Sequence, residues 1–315
     1  MPANRLILDT DGGIDDAQAL LLLIGAGRAP DAITTVFGNV DLETATQNVL
    51  ATLAVVDADI PVHLGAAQPF AQELIHARHV HGEDGLGGAP RPVTQAEAAG
   101  SDGVGFLAAE LLAAAARNEK IDLLCIGPLT NLAMALRLRP AIMAGIGRLT
   151  VMGGTVYGRG NVTPAAEFNV YADPEAAAIV FRADVDIVLV PWEPCLTHVL
   201  EGRDVDRLFA GLPETALREF SLALVTHARR NEMKHGRSDV FRFVDPLAAA
   251  VVVEPGIVTR SLRASIDVAL APGIARGMTI VDPSGRLGTP MVTIVEEVRT
   301  DRLAALYATS IGHAD

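Results

Sequence analysis

Aromatic residues make up 4% of this 315-residue chain, with one Trp, three Tyr and nine Phe. Its core therefore has to come from Ala, Leu, Val and Ile, which suits helices packed on a buried parallel sheet. Cysteine is scarcer still, Cys125 and Cys195 being the whole supply. Two residues exclude a disulfide framework and a cysteine-rich metal site. Both lie in or beside apolar strand-like runs and read as buried free thiols. Positive charge is short as well, with 25 basic against 38 acidic residues and a net charge of −13. Such a surface repels phosphate backbones and excludes nucleic acid as a partner, while an uncharged small molecule meets no such barrier. No basic segment followed by a long apolar run is visible, and the longest apolar block, near Ala19–Ala26, is too short to cross a bilayer. The expectation is a soluble cytoplasmic protein with no membrane partner.

What is plentiful is alternation. Short apolar runs at Leu6–Leu8, Ala32–Phe37, Pro61–Gly65, Asp122–Ile126, Arg148–Met152 and Asp186–Val190 read as strands. Between them, Asp41–Asp57, Phe106–Arg117 and the segment opened by Asp173-Pro174-Glu175 read as helices. This rhythm predicts an α/β fold: a doubly wound, mostly parallel, Rossmann-like sheet with flanking helices, its site at the C-terminal strand ends. After Gly202 the pattern is mainly helical to Glu254, and Leu262–Glu297 holds β-rich pieces that predict an antiparallel addition. No composition break, repeat or low-complexity tract divides the chain, so a single domain over residues 1–315 is expected. Two long loops, Ala66–Gly103 and Gly153–Asn169, are of the kind that carries function.

The stretch Arg5–Leu20, RLILDTDGGIDDAQAL, concentrates the chemistry. A buried strand stops at Asp9, and Asp9, Asp11, Asp15 and Asp16 fall within eight residues before a helix begins near Ala17. Carboxylates so close repel one another unless a cation neutralises them, and hard oxygen ligands suit Ca²⁺ or Mg²⁺. Any one of the four has a plainer role, as a helix cap or a turn residue, but one cap needs one acid. An EF-hand loop is excluded: counted from Asp9, Ile14 stands where Gly is needed and Leu20 where Glu is needed. In GNVTPAAEFNVYADP (Gly160–Pro174), Glu167 and Asn169 point the same way if that segment is extended, as suits sugar hydroxyls, the alternative being an ordinary surface loop. In FRFVDPLAAA, Asp245 before Pro246 reads as a helix N-cap. His79 and His81 sit in a Gly-rich loop, a weak transition-metal signal that surface histidines also produce.

Asp9–Ala17, DTDGGIDDA, resembles the N-terminal signature DTDPGxDDA of the nucleoside hydrolases of the inosine-uridine preferring type. Gly160–Pro174 is similar to that family's block GNVTPxAEFNxxxDPEAA. The resemblance implies hydrolysis of the N-glycosidic bond of ribonucleosides to free base and ribose. It implies Ca²⁺ held by Asp11, Asp16, the Ile126 carbonyl and Asp245, with the bound water activated by Asp11. It also implies Asp15, Asn39, Met152, Asn161, Glu167 and Asn169 on the ribose, Phe168 walling the pocket and His81 touching substrate. A structural role for Trp192-Glu193 and assembly as a homodimer or homotetramer are implied in the same way. The single Trp excludes a purine sandwiched between two indoles.

Two positions depart from the pattern. Gly12 replaces the usual Pro, which reads as a change of loop stiffness. Val244 stands where many relatives place the His that protonates the leaving base, and it cannot donate a proton. His235, His227, Tyr157 and Arg242 are candidate replacements that spacing alone does not separate. Two rival readings remain. One is a haloacid-dehalogenase-like phosphatase, which shares the strand-then-DxDG start but needs a Lys that only Lys120 or Lys234 could supply. The other is a catalytically weak or silent nucleoside- or sugar-binding protein of the same fold.

Overall fold

In the first strand, Leu6 and Leu8 pack into the core on one side of the central sheet while Ile7 packs into the core on the other, all three buried. Apolar residues in every position suit a strand covered on both faces by helices. The computed structural model describes residues 3–312. Its elements begin with β1 (Arg5–Thr10), α1 (Ile14–Gly25), β2 (Ala32–Thr35), α2 (Leu42–Val55), β3 (Val62–Leu64) and the short α3 (Arg78–His81). Next come α4 (Gly103–Ala116), β4 (Ile121–Cys125), α5 (Thr130–Leu138), β5 (Ile146–Met152), α6 (Phe168–Ala172), α7 (Pro174–Phe181) and β6 (Asp186–Val190). The C-terminal half adds α8 (Trp192–Thr197), β7 (Val199–Glu201), α9 (Gly202–Ala210), α10 (Ala216–Lys234), β8 (Val240–Arg242) and α11 (Asp245–Val253). It closes with β9 (Val258–Val268), β10 (Thr279–Asp282), β11 (Met291–Val298) and α12 (Thr300–Gly312).

The nine-stranded sheet runs β10-β9-β11-β6-β5-β4-β1-β2-β3. Strands β3 through β6 are parallel and take the order 3-2-1-4-5-6, the doubly wound arrangement expected from the sequence. Strand β11 extends it in parallel beside β6, and β9 and β10 follow antiparallel, as the β-rich tail predicts. The strand order reverses between β1 and β4, and such a switch point is where α/β sheets bind ligands. Cys125 and Cys195 are buried and free. Among the described residues no helix is long and apolar enough to cross a membrane.

Three local features differ from expectation. Helix α1 starts at Ile14 rather than Ala17, because the Asp16 carboxylate folds back to accept the Gly13 N–H at 2.8 Å and closes the first turn. Gly12 has φ +66°, and a Cβ there would meet the Ala45 Cα at 2.6 Å. Proline fixes φ near −65°, so this substitution changes the path of the loop and not its stiffness alone. The sequence pattern does not predict helix α12 or the two-stranded antiparallel sheet of β7 and β8.

Candidate active site

Strand β1 carries the acid-rich loop to the switch point, and α11 brings Asp245 to it from the distant C-terminal half. Asp11 is fully buried, and its carboxylate accepts the Asn39 backbone N–H at 2.7 Å and the Asn39 Nδ2 at 3.0 Å. Gly38 permits this approach, since a Cβ there would lie 2.0 Å from Asp11 Oδ2. Asp16 accepts from the Thr10 hydroxyl, from Asn39 Nδ2 at 3.0 Å and from the Asp11 N–H at 3.1 Å. Asp15, Asp16 and Asp245 each place a carboxylate oxygen within 4.8 Å of the other two.

This trio is poorly neutralised. Asp15 Oδ1 is buried without a hydrogen-bond partner among the described residues. Asp245 is not the helix cap that the sequence predicts: Val244 occupies the N-cap position of α11, and no side chain caps the helix. Cap assignment turns on backbone angles, and the Asp245 carboxylate is left for other work. Burial pushes Asp245 well above the ordinary carboxylate range, and the charges of Asp15, Asp16, Asp11 and Glu167 add to the rise. Asp11 is driven in the same direction by burial and then by Asp16, and burial raises Asp15 to about 6. A buried, all-oxygen, underpaired set of acids fits a hard divalent cation.

The acids floor one end of a cavity of about 290 Å³, near the lower bound of small-molecule sites at about 300 Å³. Asp15, Asn39, Ile126 and Asp245 line it, while Asp11 and Asp16 stand behind that surface. Met152, Asn161, Glu167, Phe168 and Asn169 also line the cavity. Glu167 and Asn169 do not lie in an extended segment as expected: Glu167 is the N-cap of α6, accepting the Asn169 N–H at 2.9 Å and the Val170 N–H at 3.3 Å. The Gly154 N–H adds a third bond at 2.8 Å, yet burial outweighs all three and lifts the Glu167 carboxyl to about 7. Asn169 Nδ2 donates to the Ile126 carbonyl at 3.0 Å and touches Met152 Sδ at 3.6 Å. Asn161 is exposed at the rim, where its Oδ1 accepts the Phe168 N–H at 2.8 Å. His81 is buried, accepts the Ile14 N–H on Nδ1 at 3.1 Å and stands 3.6 Å from Asp15. Burial lowers its pKa to about 4, so the imidazole is neutral with its proton on Nε2.

A sequence model of the inosine-uridine preferring nucleoside hydrolases matches residues 6–305. The chain belongs to this family. It is 38% identical over 287 residues to the non-specific ribonucleoside hydrolase RihC of Salmonella enteritidis, covering 91% of this chain and 90% of that protein. Among solved structures it is similar to the plant nucleoside hydrolase PpNRh1, with TM-score 0.90, 29% identity and coverage of 99% and 100%. The purine-preferring ribonucleoside hydrolase of Gardnerella vaginalis aligns with TM-score 0.89 and 26% identity over 98% of both chains.

For a nucleoside hydrolase, the end of the cavity away from the acids matters equally, and spacing could not resolve it. Of the four candidate proton donors, His235 and Arg242 line this cavity, whereas Tyr157 lines a separate cleft and His227 donates to the Val80 carbonyl at 3.0 Å. Val244 also faces the cavity, as does Trp192, whose Trp192-Glu193 block was read as structural. Glu193 does have that role, accepting the Val156 and Tyr157 N–H groups at 2.9 and 2.8 Å. Gln18 and Asn231 were not singled out from the sequence, yet both line the cavity. The signal for Gln18 was its place three residues after Asp15, on the same helix face. Lys120 precedes β4, at the end of the strand opposite the site, and binds the Ala144 carbonyl at 2.8 Å. Lys234, the last residue of α10, is exposed and does not line the cavity, so the phosphatase reading lacks its cation.

Proposed function

We propose that this protein hydrolyses the N-glycosidic bond of ribonucleosides, releasing the free base and ribose. The observation that carries the reading is that acids from both ends of the polypeptide meet at one end of a nucleoside-sized cavity. Asp11, Asp16, the Ile126 carbonyl and Asp245 would hold Ca²⁺, with Asp15 beside it toward the ribose hydroxyls. When bound, Ca²⁺ acts as a Lewis acid that lowers the pKa of water, and its high coordination number accommodates sugar hydroxyls.

The chain's own residues supply the rest. Asp11 is the general base that takes a proton from water as its oxygen bonds to the anomeric carbon. The two donors of Asn39 oppose the effect of burial and favour the ionised carboxylate that this role needs. Bond breaking leaves an oxocarbenium-like sugar, and the surrounding carboxylates stabilise that positive charge. Glu167, Asn169, Asn161 and Met152 position the ribose, Phe168 and His81 border it, and the electron pair of the C–N bond departs with the base. Val244 offers that base no proton. The dimeric or tetrameric assembly implied by the resemblance belongs to the same proposal, and light scattering reads it.

Incubation with inosine, uridine, cytidine and adenosine, followed by a reducing-sugar assay, tests the reading. Ribose release from at least one nucleoside is the expected result. Binding without release from any of them fits a silent binding protein instead.

A further inference from the structure

Gln18 is a side chain without a role in the chemistry above. It is 0% exposed, it lines the cavity, and neither Oε1 nor Nε2 has a hydrogen-bond partner among the described residues. An unpaired buried carboxamide is costly, and native proteins keep few of them. Leucines at positions 20 to 23 of the same helix show that apolar side chains are accepted along α1. A glutamine retained at a buried position is best explained by a partner that enters the cavity.

Its place along α1 says which part of a substrate that partner is. Asp15, at the ribose end, lies three residues earlier, so Gln18 sits on the same helix face about 4.5 Å further along the axis. That offset matches one ring of a nucleoside: with the sugar over Asp15, the attached base falls beside Gln18. The neighbouring wall has the composition of a base site, with Ile14, Val80 and Ala228 apolar and Asn231 polar.

Resting on the hydrolase reading, we propose that Gln18 is the specificity-determining residue for the leaving base, hydrogen-bonding an edge that carries a donor and an acceptor side by side. A carboxamide offers one acceptor and two donors in a plane. In one orientation it complements the N–H and C=O of uracil or hypoxanthine. Rotated by half a turn, it complements the amino group and ring nitrogen of cytosine or adenine. The residue thus accepts oxo and amino bases alike and selects against a leaving group with no such edge. Negative charge gathers on the base as the C–N bond breaks, so the hydrogen bond donated by Nε2 strengthens in the transition state.

The test compares wild type with Gln18→Leu on uridine, inosine and p-nitrophenyl β-D-ribofuranoside, whose leaving group lacks the edge. The expected result is a loss of about 10–100-fold in kcat/KM on both nucleosides, the effect of two hydrogen bonds, with the nitrophenyl riboside within about twofold. Wild type on 3-methyluridine, which lacks the N3–H, shows a loss of similar size, and this arm does not depend on a variant folding. Equal losses of the variant on all three substrates, or no loss on any, overturn the proposal. If wild type releases no ribose from any substrate, it is the hydrolase reading that fails, and calorimetric uridine binding then decides on Gln18. Binding weakened at least about tenfold in Gln18→Leu retains its role as a base reader; equal binding, or none to either protein, rejects it.

Discussion

At the acidic end of the cavity, Asp11, Asp16 and Glu167 accept two, four and three hydrogen bonds from groups fixed by β1, α1, α6 and the loops after β2 and β5. One helical turn from Asp15, Gln18 accepts none among the described residues, and His235 and Arg237 are exposed on the chain that follows α10. The acidic end is assembled by the sheet switch point, which few substitutions can move without disturbing the core. The other end is built from helix faces and a connecting segment, where single side chains can change with little cost to the fold. On the proposed reading, the comparison teaches that the fold preorganises the sugar end, while selection of the base would rest on individual residues such as Gln18 and Val244.

The largest effect is expected from Asp11→Ala. Loss of a general base costs about 10²–10⁴-fold in kcat, and the loss should be the same for every base because the acidic end does not read the base. Initial rates on inosine and uridine check this, with circular dichroism to confirm folding. A loss confined to one nucleoside breaks the division between the two ends.

Val244→His sharpens the division from the other side. A proton donor facing the leaving base should raise kcat/KM on inosine about tenfold and leave p-nitrophenyl riboside, a good leaving group, unchanged. A gain on both substrates would mean that residue 244 acts on the sugar end instead.

The smallest effect concerns stability. Burial raises the Glu167 carboxyl to about 7, above its ordinary value of about 4.3. The folded state therefore holds this proton more tightly than the unfolded chain. The sign follows: its contribution is fully present below about pH 4 and is lost as pH rises through 7, by on the order of 3–4 kcal/mol. Glu167→Gln should flatten the pH dependence of the melting temperature of metal-free protein between pH 5 and 8. An unchanged slope would remove Glu167 from the set of strained acids.

The same contrast explains what the sequence disclosed. The parallel strands were legible because most are short, largely apolar runs ending in Gly or Asp, a pattern written in consecutive residues; their order was not. The acid-rich loop was legible from its density: Asp15 and Asp16 join Asp245 in one cluster, whereas Asp9 instead accepts the Asn131 Nδ2 at 2.9 Å. Of the two roles Asp245 offered, cap and metal ligand, the cap does not hold, since the same Asp-Pro pair starts a helix whether the carboxylate turns inward to the backbone or outward to a neighbour. Glu167 and Asn169 were placed in an extended segment because Glu167 creates the N-terminus of α6 by capping it, an event invisible to periodicity. The strands β7 and β8 have three residues each, too few for alternation to show. Gln18 was not legible because burial of one polar residue in a helix is set by packing against distant elements, here α10, α11 and α12 around α1, which no local pattern encodes.

The central claim, a divalent ion gripped by acids of β1–α1 and α11 and served by Asp11, is tested most directly by titrating Ca²⁺ into chelator-treated protein while following ribose release from inosine. Activity should be lost on chelation, return and saturate at one ion per chain, and stay absent in Asp11→Ala at every Ca²⁺ concentration. Full turnover by protein shown to be metal-free, or undiminished turnover by Asp11→Ala, would contradict it.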